Sequence, residues 1–234
     1  MHILRLIGVV FWSIFAITLS LIVLVIFLFN HHFSLKMARV FWSPMILFFS
    51  NVRLKVEGLE NVNFSKPHIF VANHQSFIDI PCIFNALPIN LYFVGKNELK
   101  KMPFIGWYMA AMKMIFIDRS DKRKAIESLS EAGNLIHNGK SVIMFPEGTR
   151  SKDGEIASFK RGTFLLAEKA QVQIVPMYLH NAGKVWSSNS WKIHGGEIVL
   201  KIGKPISIEN LTEKNVLQFA NDTREEVLKL KEAS

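Results

Sequence analysis

The sequence predicts an α/β fold: a mixed β-sheet flanked by helices, preceded by an N-terminal two-helix segment embedded in a membrane. Three observations predict it. Short apolar runs rich in β-branched residues alternate with helical patterns from about residue 52 onward. The stretch from Leu6 to Phe29 holds no charged residue. No internal repeat and no low-complexity linker interrupts the 234 residues. The domain division expected is 1–50 for the membrane-anchoring helices and 51–234 for the α/β domain.

The first element is the run 6–29. As a helix it would extend about 36 Å, enough to cross a hydrocarbon core with some tilt. The residues after it, "NHHFSLK", make a poor cleavage site for a signal peptide. A second segment, "HFSLKMARVFWSPMILFFS", has an uncharged part too short to span. Phe41, Trp42, Phe48 and Phe49 suit the headgroup boundary, and Pro44 is expected to start or kink a helix. Two arrangements stay open: a spanning helix followed by an interfacial one, or a helical hairpin in one leaflet. Arg5 is the only Lys or Arg before the apolar run, whereas Lys36, Arg39, Arg53 and Lys55 follow it. The positive-inside rule then puts the C-terminal body on the cytoplasmic side of the inner membrane.

The α/β part reads in order. "RLKVEG" is a strand ending at Gly58, "HIFVAN" (68–73) a buried strand, and "NLYFVG" (90–95) another. "FIGWYMAAMK" is a helix and "MIFID" a strand. The clearest soluble helix is "RSDKRKAIESLSEAGNLIHNG", with Ile126, Leu129, Gly133 and Ile136 on its inner face and Gly139 at C′. "SVIMF" (141–145) is a strand and "RGTFLLAEKA" a helix. "VQIVPMYL" and "EIVLKIG" are strands. A last amphipathic helix is expected over 213–232, with Val216, Phe219, Thr223, Val227 and Leu230 inward and Thr212 as N-cap.

Charge and cysteine content narrow the function. The formal charge of +9 favours an acidic partner: nucleic acid, an anionic membrane surface or a phosphorylated substrate. The lone cysteine, Cys82, excludes an internal disulfide and a Cys-rich metal site, and its apolar setting marks it as a small buried residue.

Chemistry is expected where strands end and loops begin. "NHQSFID" (73–79) follows a buried strand. Helical side chains five apart do not face each other, so His74 and Asp79 meet only if the chain turns between them. After a turn, Ser76 can cap a helix containing Asp79, whose carboxylate then reaches back to one imidazole nitrogen and leaves the other as a general base. No G-x-S-x-G elbow accompanies the pair. Such a dyad suits a reaction in which the substrate supplies the nucleophile, as when an alcohol attacks an activated acyl group. "FPEGTRS" (145–151) also directly follows a strand. There Gly148 permits a tight turn that exposes N–H groups, Arg150 offers a planar fork for a phosphate, and Glu147 can accept hydrogen bonds from hydroxyls or organise Arg150.

Together, "NHQSFID", "VGKNELKKMPFIGWYM", "MIFIDR", "FPEGTRS", "FKRG" and "IVPM" resemble the glycerolipid acyltransferase family, in order and spacing over about residues 68 to 180. The bacterial 1-acylglycerol-3-phosphate (lysophosphatidic acid) acyltransferases are the branch resembled. Asn97 and Met177 depart mildly from the commonest pattern. The resemblance implies a glycerol-3-phosphate acyltransferase-like fold. It implies His74 as general base and Asp79 as its orienter, with Lys96, Arg119 and Arg150 on the substrate phosphate. Glu147, Gly148 and Thr149 would bind the glycerol phosphate, and Pro176 would form the acyl-side wall. The reaction implied is acyl transfer from acyl-CoA or acyl carrier protein to the sn-2 hydroxyl of 1-acylglycerol-3-phosphate, giving phosphatidic acid, with no metal or other cofactor. Lysophosphatidic acid, the acyl thioester and an anionic membrane are the partners expected, with acyl carrier protein as one possible donor and no nucleic acid. Three other readings remain: a related acyltransferase for another lysophospholipid or a lyso-aminolipid, a metal-dependent phospholipid hydrolase, and a non-enzymatic binder of anionic membranes.

Overall fold

A computed structural model describes residues 30–233 apart from 104, 119, 152, 189 and 191. The run 6–29, expected to be the first membrane helix, lies outside the described residues. Among the described residues no helix is long and apolar enough to cross a membrane.

The described residues open with α1 (His31–Met37), a π-helical turn (Ala38–Trp42) and α2 (Ser43–Phe49), which follow one another without a break. Asn30 caps the start by accepting the Phe33 N–H at 3.1 Å. Pro44 lacks the N–H that an α-helical turn would use, and the π turn falls just before it. Leu35, Ala38 and Leu47 are buried in the same core as the rest of the protein.

The elements that follow are β1 (Val52–Glu57), β2 (Ile69–Ala72), α3 (Asp79–Ala86), β3 (Leu91–Lys96), a 3-10 turn (Asn97–Lys101), α4 (Ile105–Ala111), β4 (Ile115–Ile117) and α5 (Lys122–His137). After them come β5 (Ser141–Met144), α6 (Gly162–Ala170), β6 (Ile174–His180), α7 (Ala182–Val185), β7 (Gly196–Ile202) and α8 (Val216–Glu232). Seven strands form one sheet in the order β1-β7-β6-β2-β5-β3-β4. It is mixed, as the alternation implied: β6, β2, β5, β3 and β4 run parallel, while β7 is antiparallel to β6 and carries β1 parallel to itself. β2 and β5 are buried along their whole length, the reason both read as unbroken apolar runs.

Register fixes which helices share a face. Phe93 pairs with Ile143, and Ile143 with Phe70, so these side chains lie on one face. Phe84 of α3 stacks on Phe93 with centroids 5.4 Å apart. Two residues along β3, a Cβ on Gly95 would stand 3.1 Å from the Met109 methyl of α4. Thus α3 and α4 cover the same face, and α2 packs against α3. Val71 and its partner Pro176 point to the opposite face. There Pro176 and Leu230 of α8 flank Gly203, and α5, α6 and α8 form the second layer.

Two expectations need correction. Ile126 is exposed, because α5 turns Ala132, Gly133 and Ile136 inward, with Leu129 half-buried. Thr212 does not cap α8: it donates to the Asn215 side chain, and the helix starts at Val216. Gly139 does end α5, with φ +108°.

Candidate active site

β2, β5 and β3 are parallel neighbours, so the turns after them meet at one edge of the sheet. The turn after β2 begins at Asn73, which is buried. Its amide donates to the Leu179 carbonyl at 3.1 Å and accepts the Leu179 N–H at 2.8 Å. This side chain continues the β2–β6 ladder where the backbone leaves it.

His74 and Asp79 meet. Nδ1 lies 2.7 Å from Oδ2 of Asp79, which is fully buried as the first residue of α3. The same oxygen accepts the N–H groups of Gln75 and Ser76, each at 2.8 Å. A carboxylate oxygen with three donors is held in place. Its proximity assigns the proton to Nδ1 and leaves Nε2 as the basic nitrogen. Phe145 stacks on the imidazole at 4.0 Å and 16°. The expected role of Ser76 is corrected. Its hydroxyl donates to the Trp186 carbonyl and accepts the Ile78 N–H, and no side chain caps α3.

The "FPEGTRS" loop clasps this turn. Glu147, 3 % exposed, accepts the His74 N–H at 2.8 Å through one oxygen and the Ala157 N–H at 2.9 Å through the other. The Ser151 N–H donates to the His74 carbonyl at 2.7 Å. Both backbone groups of His74 are thereby fixed. Burial pushes the Glu147 carboxyl above its ordinary range, opposed by those two N–H groups.

Gly148 has φ +76°, and a Cβ there would stand 2.6 Å from the Lys160 ammonium. The positive φ favours glycine, and the Lys160 side chain packs over it. Thr149 is exposed and Arg150 half-buried. The Arg150 guanidinium carbon lies 3.8 Å from the centroid of the Phe77 ring, which leans on Trp186 at 5.7 Å. Stacked this way, the guanidinium face is occupied while its N–H edge stays available for an anion.

Lys96 ends β3 on the same edge and is exposed. Asn97 beside it donates to Asp118 at 3.1 Å, and the Ser120 N–H holds the Asp118 carboxyl below its usual value. Arg119 lies outside the described residues. Pro176 is level with Val71 near the same strand ends, and its ring faces the other layer, in a groove with Gly203, Glu226, Lys229 and Leu230. Among the described residues, no three His, Cys, Asp or Glu converge to hold a metal.

Sequence reasoning overlooked Asn73, Gln75, Phe77, Phe145 and Trp186. Gln75 ties the turn to the next loop through the Gly154 carbonyl at 2.9 Å. One signal was present: Phe77 is an aromatic directly after four polar residues of the turn. The partners of Asn73 and Ser76 lie more than a hundred residues away in the chain and left no local trace.

A family model described as "Acyltransferase" matches residues 53–180. The 1-acyl-sn-glycerol-3-phosphate acyltransferase of Saccharomyces cerevisiae is 37 % identical over 194 residues, 82 % of this chain and 63 % of that protein. The Pseudomonas aeruginosa protein of the same name is 35 % identical over 161 residues, 68 % of this chain and 62 % of its own length. The chain spans 48 % of a chloroplastic relative from Arabidopsis thaliana. Among solved structures, the 1-acyl-sn-glycerophosphate (LPA) acyltransferase PlsC of Thermotoga maritima is similar with TM-score 0.71 and 28 % identity. That match covers 94 % of this chain and 89 % of that one.

Proposed function

The chain belongs to the acyltransferase family, and from that premise we propose that it acylates the sn-2 hydroxyl of 1-acylglycerol-3-phosphate with an acyl thioester, giving phosphatidic acid. The observation that carries this reading is the His74–Asp79 pair at 2.7 Å, with the stacked Arg150 beside it. A base needs a fixed ring and one unprotonated nitrogen, and an anionic acceptor needs a cation within the same edge.

In this reading Nε2 of His74 takes the proton of the sn-2 hydroxyl. The oxygen attacks the thioester carbonyl, and the C–O bond forms as the carbonyl electrons move to the oxyanion. Collapse of that intermediate breaks the C–S bond, and the imidazolium returns its proton to the leaving thiolate. Asp79 steadies the imidazolium throughout. Arg150, Lys96 and Arg119 hold the acceptor phosphate, and the exposed Gly148–Thr149 turn faces the glycerol phosphate. Glu147 acts from behind the site by fixing the His74 backbone. The thiol belongs to coenzyme A or to acyl carrier protein. The amphiphilic acceptor is met at the cytoplasmic face of the inner membrane, where the run 6–29 and the exposed Phe48 and Phe49 anchor the chain.

The test supplies purified full-length protein in mixed micelles with lysophosphatidate and acyl-CoA, and follows thiol release together with the lipid formed. Phosphatidate production that is lost with His74→Ala is the expected result. Thiol release that does not depend on lysophosphatidate would make the protein a thioesterase and overturn the proposal.

A further inference from the structure

The two helical layers differ sharply in what they expose. Phe41 and Trp42 of the π turn and Phe48 and Phe49 of α2 are between 38 % and 78 % exposed, and on α4 Trp107 is 56 % exposed. Every exposed aromatic among the described residues lies on the α1–α4 layer or on the turn at its catalytic edge. The opposite layer exposes aliphatic residues at scattered positions: Ile126, Leu135 and Leu217.

Charge also differs between the layers. Between Asp79 and Asp118 the one acidic residue is Glu98, against Lys96, Lys100, Lys101 and Lys113. On the other layer the charges are mixed: α8 carries Asp222, Glu225, Glu226 and Glu232 together with Arg224, Lys229 and Lys231. A monomer's surface seldom concentrates large aromatics on one face, and aromatics flanked by lysines are the composition of a bilayer boundary.

α4 is built to be presented as a unit. A Cβ on Gly106 would stand 2.3 Å from the Leu99 carbonyl oxygen and 2.5 Å from that of Lys100, so helix and preceding 3-10 turn pack backbone to backbone. Their outward side carries Met102, 43 % exposed, with Trp107. Met109 faces the opposite way, onto β3.

We propose that α4 and the turn before it form a second bilayer-contacting element, carried by the catalytic domain itself and fitted to an anionic lipid surface. Met102 and Trp107 enter the headgroup–acyl boundary, and Lys101 and Lys113 meet lipid phosphates. The proposal rests on the membrane reading given above and extends it. One contact, through α2, would leave the catalytic edge free to rock on the bilayer. A second contact on the far side of α3 fixes its tilt and brings the Lys96 end of the edge to headgroup level.

The test uses the full chain with single cysteines carrying an environment-sensitive fluorophore. Cys82 is fully buried and burial pushes its thiol far above the ordinary range, so it stays unlabelled. Labels replace Met102→Cys, Phe48→Cys and, as a control on the other layer, Leu217→Cys. On vesicles of phosphatidylcholine and phosphatidylglycerol, a blue shift at positions 102 and 48 but not at 217 supports the proposal. A response at 48 without one at 102 overturns it and leaves the membrane reading intact. Silence at both positions removes both. Met102→Gln provides a second arm. It should lower turnover of vesicle-embedded acceptor while sparing that of a short-chain acceptor in solution, and equal loss on both would overturn the proposal.

Discussion

The turns after β2 and β3 leave the same edge of the same sheet and are built on opposite terms. After β2, the His74 ring, N–H and carbonyl are each fixed, by Asp79, Glu147 and Ser151. Both carboxylates are buried and engaged with backbone N–H groups. After β3, Lys96 stands exposed, and the nearest fixed contact is Asn97 to Asp118. The first turn spends its polar groups on geometry, as a proton-transferring ring must sit within a fraction of an ångström of its partner. The second keeps a cation in water, where it can meet a phosphate without first breaking an ion pair. The difference teaches that substitutions in one turn should act on kcat and in the other on KM.

The largest effect expected is from His74→Ala, which should lower kcat by about 10²–10⁴-fold with KM for the acceptor little changed. A matched loss in Lys96→Ala would break the comparison.

Next in size is Glu147→Ala. It leaves the N–H groups of His74 and Ala157 unpaired, at about 1–3 kcal/mol each, and should lower both the melting temperature and kcat. The charge state of Glu147 sharpens this. Its folded pKa is raised above the ordinary 4.5, so the native state holds this proton more tightly than the unfolded chain. The contribution is fully present below the ordinary value and is lost as pH rises through the raised one. Melting curves of wild type and Glu147→Gln should therefore converge in the direction of lost wild-type advantage as pH increases over that window; parallel curves would contradict the buried, raised carboxyl.

Lys96→Ala should raise KM for lysophosphatidate by about tenfold, leaving kcat near wild type, as removal of one charge-assisted contact implies. The smallest effect belongs to Phe77→Leu. Loss of the face that orients Arg150 should raise KM about two- to fivefold, and Phe77→Tyr should restore it. A kcat effect in Phe77→Leu without a KM effect would mean that the ring serves His74 and not Arg150.

Much of this was legible in the sequence where the determinants are local. β2 and β5 were readable because a central parallel strand is buried on both faces, which makes IFVA and VIM apolar runs. Gly139 was readable as a helix stop because only glycine takes φ +108° without strain. The His74–Asp79 pair was readable as a possibility because the spacing forbids contact on one helix and allows it across a turn. Where a partner lay far along the chain, the reading failed. Ser76 has the chemistry of a helix cap, whereas the Trp186 carbonyl takes its hydroxyl. Ile126 fits a helical stripe, but α5 packs mainly through its C-terminal half, against α6, so the first turns stay open. Thr212 has a capping residue's chemistry, and Asn215 stands between it and the helix.

By itself, the sequence determined the alternation of elements, the positions of the two turns that carry the chemistry, and the residue types available there. These follow from burial periodicity, from backbone preferences of Gly and Pro, and from side-chain chemistry, all of which act over a few residues. Tertiary structure alone decided that Glu147 fixes the His74 peptide from behind, that Arg150 lies on Phe77, that Pro176 faces away under α8, and that α4 shares a face with α2. Each of these places together or apart segments that are distant in the chain. Their meeting depends on strand order and crossover direction, which one stretch of chain does not encode.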